Sequence, residues 1–161
     1  MLFVNCSGFS RKLNLAPLFK AEISLAPPQE LGDTPQGRRR IINITGGSFR
    51  GERLSGRVLP GGADWQVIRS DGVADLDARY TLETQDGALI YVRNRGLRHG
   101  PAEVLSKLAA GEKVDPSLYY MRTTPSFETG DARYAWLNRL VCVATGARRA
   151  AAVELEVFEI Q

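Results

Sequence analysis

Period-two alternation, broken at short intervals by glycine and proline, constrains this chain more than any other feature. Phe19, Ala21, Ile23 and Leu25 are apolar while Lys20, Glu22 and Ser24 between them are polar, the pattern of a half-buried strand. Ala26-Pro27-Pro28 ends it, since proline cannot donate to a ladder, and Gln29 to Gly37 reads as a polar loop. A second strand is expected over about Arg39 to Thr45, broken by Gly46-Gly47, and a third carries Leu54, Val58 and Leu59 beside Gly51 and Gly56. Glycines at this density in β segments mark corners that curve a sheet.

Pro60-Gly61-Gly62 turns the chain into Asp64–Arg69. Asp71-Gly72 and Asp86-Gly87 are two-residue hairpin signals, because Asp-Gly supplies the positive φ such turns require. They join Asp64–Arg69 to Ala74–Thr84, and that strand to Ala88–Asn94. One helix is expected: Pro101 suits its first turn, Val104, Leu105 and Leu108 make an apolar stripe, and Gly111 caps its end. Asp115-Pro116 resets the chain into strands Tyr119–Thr124, Tyr134–Ala144 and Ala152–Ile160. The sum is an all-β, mainly antiparallel fold: a closed or nearly closed barrel of about eight to nine strands, with the short helix across one end.

The 161 residues, 43% of them apolar, suit one domain with an ordinary core. Residues 1–15 read as a flexible extension or an upstream start, and residues 16–161 as the barrel domain. A net charge of +3 is far short of a nucleic-acid footprint. No apolar stretch is long enough to cross a bilayer, and Met1 to Leu15 has no proper signal region, so a cytoplasmic location is the default expectation. Cys6 and Cys142 are too few for a disulfide framework, and Cys142 in its apolar run reads as an inert buried thiol. The single histidine, His99, excludes a multi-histidine metal site and reads as a loop bystander. No cofactor is called for.

Candidate site residues come from the strand rows, because side chains two apart share a face. Asp75, Asp77, Arg79 and Thr81 form one row; Tyr91 with Arg93, Tyr120 with Arg122 and Thr124, and Tyr134 with Trp136 and Asn138 form the others. Lining the inside of a curved sheet, they would make a wet, aromatic pocket. In that reading Asp77 or Asp64 is a general base, Tyr120 an acid, and Arg122 or Asn138 steadies an enolate-like oxygen. Trp65, Arg79, Tyr91, Arg93, Tyr134 and Trp136 complete the ligand-binding set.

A competing arrangement puts Leu76, Ala78, Tyr80 and Leu82 inside and leaves Asp75, Asp77 and Arg79 as cross-strand ion pairs on an exposed face. Gly46 to Gly51 lacks the ending of a phosphate loop. Arg38-Arg39-Arg40 reads as a solvated charge run, with a grip on a phosphate or carboxylate as the alternative. No activated-serine arrangement is present. The leading function is binding of a small, partly aromatic or apolar molecule bearing a carboxylate or carbonyl. A cofactor-independent lyase, isomerase or hydratase is the alternative, and a nucleic-acid-binding barrel ranks last. A membrane partner is not expected; homo-oligomers are allowed.

Several strings carry a resemblance: Gly-Arg-Arg-Arg-Ile-Ile (37–42), Ile-Thr-Gly-Gly-Ser-Phe-Arg-Gly (44–51), Leu-Pro-Gly-Gly-Ala-Asp-Trp (59–65), Leu-Asp-Ala-Arg-Tyr (76–80), Arg-Thr-Thr-Pro-Ser-Phe-Glu-Thr-Gly (122–130) and Tyr-Ala-Trp-Leu-Asn (134–138). In order over roughly residues 16–160, the chain resembles the microbial family called domain of unknown function three-two-three-seven, or uncharacterised protein family three-eleven. The resemblance implies a single β-barrel and brings no reaction, cofactor or catalytic residue.

Overall fold

The structure, a computed structural model, describes residues 12–161. Within these described residues lie ten strands: β1 Leu15–Leu25, β2 Gln29–Thr34, β3 Gly37–Arg50, β4 Ser55–Val58, β5 Ala63–Ile68, β6 Ala74–Thr84, β7 Leu89–His99, β8 Tyr120–Glu128, β9 Cys142–Arg148 and β10 Ala152–Ile160. One α-helix, α1 (Ala102–Ala109), joins β7 to β8, and 3-10 turns occupy Pro116–Leu118 and Ala132–Arg139. Antiparallel pairing runs β1-β10-β9-β8-β7-β6, then through β4 and β5 to β3, which pairs back with β1. Because β4 and β5 share one place in the wall, this is a closed barrel with β2 hanging from β3. Closure leaves the wall without free edges.

The barrel closes at a glycine corner. Gly46 and Gly47 were expected to end a strand; instead β3 runs unbroken through them with φ of 150° and 138°. Before the corner β3 pairs with β2 and β5, and beyond it with β1 and β4. A Cβ at residue 47 would overlap the Glu22 carbonyl oxygen of β1, so the bend and the close approach both need glycine. The Asp-Gly hairpins also differ from expectation in turn type. The Arg69 N–H donates to the Val73 carbonyl and the Gly72 N–H to the Arg69 carbonyl, and Thr84, Gly87 and Ala88 repeat the pattern. Only Gly72 and Gly87 there have positive φ, so each loop has three residues ending on a left-handed glycine.

Three further boundaries are corrected. The expected loop at Gln29–Gly37 contains β2, paired with the start of β3. Strand β7 runs past Asn94 to His99 because β6 and β8 flank it to the end. The expected strand at Tyr134–Ala144 is a 3-10 turn followed by β9: the Asp131 carboxylate accepts the Arg133 N–H and caps the turn, whatever the β propensity of its aromatics.

The interior has two halves. Leu82, Ile90 and Val92 are fully buried in the lower half, where Phe19 meets Phe49 and Phe127 edge-to-face. Leu137, from the 3-10 turn, packs into this cluster. Burial of each such side chain contributes roughly 1.5–3 kcal/mol. Cys142 lies here too, and burial pushes its thiol up to about 11. At the other end α1 lays Leu108, with Val104 and Leu105, against Ala74, Leu76, Tyr119 and Met121. Between that lid and the apolar half the lining turns polar.

Candidate functional site in the upper barrel

The polar lining follows from strand phase. On β7 the buried row is Ile90, Val92, Asn94 and Arg98; on β5 Gln66 is buried one step from Asp64; on β8 Thr123 alternates with exposed Arg122 and Thr124. These converge, with Tyr80 of β6 and Arg148 of β9, on a cavity of about 50 Å3. That volume holds a few water molecules. Arg98, Arg148 and Ile42 also line a cleft of about 420 Å3 beneath α1, so the cavity and the cleft meet at the two arginines.

A chain of hydrogen bonds fixes the acidic end. The Gln66 amide donates to Asp64 Oδ2 at 2.9 Å, and the Asp77 backbone N–H donates to Asp64 Oδ1 at 3.0 Å. Gln66 Oε1 accepts from Arg40 Nε at 2.7 Å and, at a long 3.5 Å, from Arg98 Nη2. Burial raises the Asp64 pKa above its ordinary 3.8, outweighing these hydrogen bonds and the charges of Arg98 and Arg40. Arg98 is only 8% exposed; burial, with repulsion from Arg40 and Arg148, lowers its pKa to about 10. Arg148 is lowered by burial and Arg40 in the same way. Asn94 Oδ1, Arg98 Nε and Thr123 Oγ1 are buried with no hydrogen-bond partner.

Of the residues expected from sequence, the structure brings only Asp64 to this cavity. Asp77 lies on the outer wall, bonded to Arg93 at 3.1 Å and 3.2 Å and to Arg79 at 3.1 Å. Partial burial raises its pKa, but the two guanidiniums prevail and hold it below 3.8. The apolar row Leu76, Tyr80, Leu82 took the interior of β6, so Asp75, Asp77, Arg79 and Thr81 face out. Trp65 is 39% exposed, with the Arg79 guanidinium 5.8 Å over its ring, and Tyr91 is likewise on the outer wall.

Tyr120 stacks on His99 at 4.8 Å and stands 5.2 Å from Arg122, both lining an outer-wall cleft of about 840 Å3. Tyr134, Trp136 and Asn138 sit on the 3-10 turn at the far end: Tyr134 donates to Asp86, Arg53 stacks 4.0 Å over Trp136, and Asn138 brackets the Thr129 backbone. Cys6 and most of the expected extension lie outside the described residues, and β1 already begins at Leu15. Exposed ion pairs contribute about 0–1 kcal/mol. Asp77→Asn is therefore expected to cost no more than about 1 kcal/mol in urea unfolding and to leave binding inside the barrel unchanged.

Gln66, Asn94, Arg98 and Arg148 were missed from sequence, although a signal existed. Asn94 and Arg98 continue the apolar row Ile90, Val92, and Arg148 continues the row Cys142, Ala144. Polar residues in an inward phase are the informative exception.

The fold places the chain among closed antiparallel β-barrels, here with a helix-covered end that opens on a half-buried carboxyl and two arginines. The chain belongs to the family described as protein of unknown function (DUF3237), whose model matches residues 13–160. A UPF0311 protein of Rhodopseudomonas palustris is 49% identical over 129 residues, 80% of this chain and 84% of the relative. A crystal structure of a conserved protein of unknown function from that species superposes with TM-score 0.89 at 42% identity, covering 94% of this chain and all of the other. A β-barrel-like protein of Acinetobacter baumannii is 48% identical with TM-score 0.83, covering 95% and 99%. More distant is a hydroalkoxylation enzyme of Penicillium herquei, 25% identical over 132 residues, 82% of this chain and 73% of that protein. A crystal structure of an enzyme from that fungus shares the fold at TM-score 0.72, 23% identity, with coverage of 96% and 99%. Among the described residues no helix is long and apolar enough to cross a membrane.

Proposed function

We propose that the upper barrel takes a small molecule whose apolar or partly aromatic body lies in the cleft beneath α1 and whose carbonyl or carboxylate end enters the adjoining cavity, and that Asp64 exchanges a proton with it. The observation that carries this reading is the set of three buried, unpartnered polar atoms, on Asn94, Arg98 and Thr123, around one cavity shared with Asp64. Water in the cavity can meet these atoms, and a ligand that reproduces those hydrogen bonds while adding an apolar body would displace it with a gain in affinity. Wider clefts exist on the outer wall, of about 700 and 840 Å3, but Asn94, Arg98 and Asp64 line neither of them, and of the three residues bearing those atoms only Thr123 borders the larger one.

The enzymatic form of this reading, a lyase, isomerase or hydratase, is favoured by two observations. A carboxyl whose pKa burial raises above the ordinary carboxylate value is a stronger base when ionised than an exposed one. The distant fungal relative is named for hydroalkoxylation, an addition of O–H across a carbon–carbon double bond, which also turns on proton transfer. Asp64 would take the proton α to a carbonyl while the Arg98 guanidinium donates to the developing oxyanion.

The test is hydrogen–deuterium exchange α to the carbonyl of a panel of small aryl ketones, followed by proton NMR in D2O, with thermal shift for binding. At least one ketone should bind saturably and exchange faster with the protein, and the Asp64→Asn variant should still bind it without the acceleration. A panel that neither shifts the melting temperature nor exchanges would refute the proposal.

A further inference from the structure

Arg98 and Arg148 meet at the junction of cavity and cleft, with Arg40 beside them in the cleft, and the Asp64 carboxyl is a single acidic neighbour for three guanidiniums. Arg148 and Arg98 have no carboxylate within ion-pair distance among the described residues; Arg40 has only Glu30, 3.7 Å away on the outer side. Among the described residues, the carboxyl that lines the cavity, Asp64, is hydrogen-bonded to Gln66 and the Asp77 backbone rather than to an arginine. Arg148 spends one nitrogen on the Ala152 carbonyl at 2.9 Å, and Arg98 reaches Gln66 only at 3.5 Å while its Nε has no partner. Burying a charge without a full counter-charge costs several kcal/mol, and burial first, then repulsion from neighbouring arginines, lowers the proton affinity of both guanidiniums despite the opposing pull of Asp64. Such a cluster is tolerated where an anion from outside completes it.

Resting on the function proposed above, we infer that the molecule taken by the barrel is an organic carboxylate, its carboxylate seated on Arg98 and Arg148 and its apolar body in the cleft under α1. Guanidinium groups match a planar carboxylate with two parallel hydrogen bonds, which the free Nε of Arg98 can supply together with a neighbouring terminal nitrogen. The cleft offers about 420 Å3 walled by Ile42, Ile68, Leu105 and Leu108, within the size range of small-molecule sites. A carboxylate at the two arginines then places the body within reach of both the cleft and the Asp64 cavity, because Arg98 and Arg148 line both.

The experiment titrates trans-cinnamate, neutral trans-cinnamamide and inorganic phosphate into wild type, Arg98→Met and Arg148→Gln by calorimetry, with melting temperatures in anion-poor buffer. Cinnamate should bind wild type about tenfold or more tighter than cinnamamide, weaken with added salt, and lose about tenfold in each arginine variant. Arg98→Met should melt several degrees above wild type without anion, since it removes an uncompensated buried charge; a merely structural arginine would lower the melting point instead. Equal binding of acid and amide, no response to cinnamate at millimolar concentration, or an Arg98→Met protein that melts lower yet binds unchanged would each overturn the inference. Phosphate binding tighter than cinnamate would overturn the carboxylate assignment in favour of a phosphate seat. Because the aryl ketones of the previous test are uncharged, their binding and exchange can succeed while this test fails, which separates the two readings.

Discussion

Replacing Asp64 with asparagine is expected to lower proton exchange by about 10²- to 10⁴-fold, the usual contribution of a positioned acid or base. Binding of the same ketone should stay within a few-fold. The two side chains have nearly the same shape, and the amide oxygen can still accept the N–H of Asp77 that Asp64 accepts at 3.0 Å. What the amide lacks is a proton that comes and goes. With Asp64 as base, the exchange rate in wild type should rise with pH through a value above the ordinary 3.8, because burial holds the acid form. That limb should vanish in the variant. Stability gives a second reading of the same group. The folded state binds this proton more tightly than the unfolded chain, so Asp64 favours folding at low pH. That contribution is lost as pH rises from about the unfolded value through the raised folded one, by about 1.4 kcal/mol for each tenfold difference in proton affinity. The stability of wild type relative to Asp64→Asn should therefore fall as pH rises above the ordinary carboxylate value of 3.8, measured by urea unfolding across a pH series. A flat difference, with undiminished exchange in the variant, removes Asp64 from the chemistry.

Gly47→Ala should destabilise the barrel more than any conservative surface change, by about 2–6 kcal/mol from backbone strain and overpacking together. The residue has φ of 138°, and the new methyl would drive into the Glu22 carbonyl at the seam where β1 and β3 close the wall. Gly32→Ala is the control: its φ of 83° carries the strain, but no atom lies within 4 Å of the added carbon. It should cost about 1–2 kcal/mol. Guanidinium or urea midpoints at unchanged slope measure both. Equal losses at the two positions would mean that the close approach of β1 and β3 at the corner is not what needs glycine there.

The chemistry of the site was half legible. Asp64 announced itself as a carboxyl following a Pro-Gly-Gly turn, and it does face the cavity. Asp77 and Arg79 formed an equally conspicuous row, yet they sit outside because Leu76, Tyr80 and Leu82 on the opposite face gain more from burial. Tyr134, Trp136 and Asn138 had strand spacing, but the cap at Asp131 wound them into a 3-10 turn. Arg98 was hidden by its neighbours: beside His99 and ahead of the helix it looks like a loop residue, and only the extra length of β7 turns it inward.

Alternation and turn chemistry alone were enough for the architecture, since a period of two with glycine corners and one short helix leaves few alternatives to an antiparallel barrel. Strands β6 and β10 begin and end where the residues said they would. A period of two, however, distinguishes two faces without saying which one is enclosed, and it says nothing of which strands become neighbours across the barrel. Those were decided by closure: pairing β3 with β1 set which rows point inward and carried Asp64, Asn94, Arg98 and Arg148, spread over 85 positions of sequence, into one low-dielectric space.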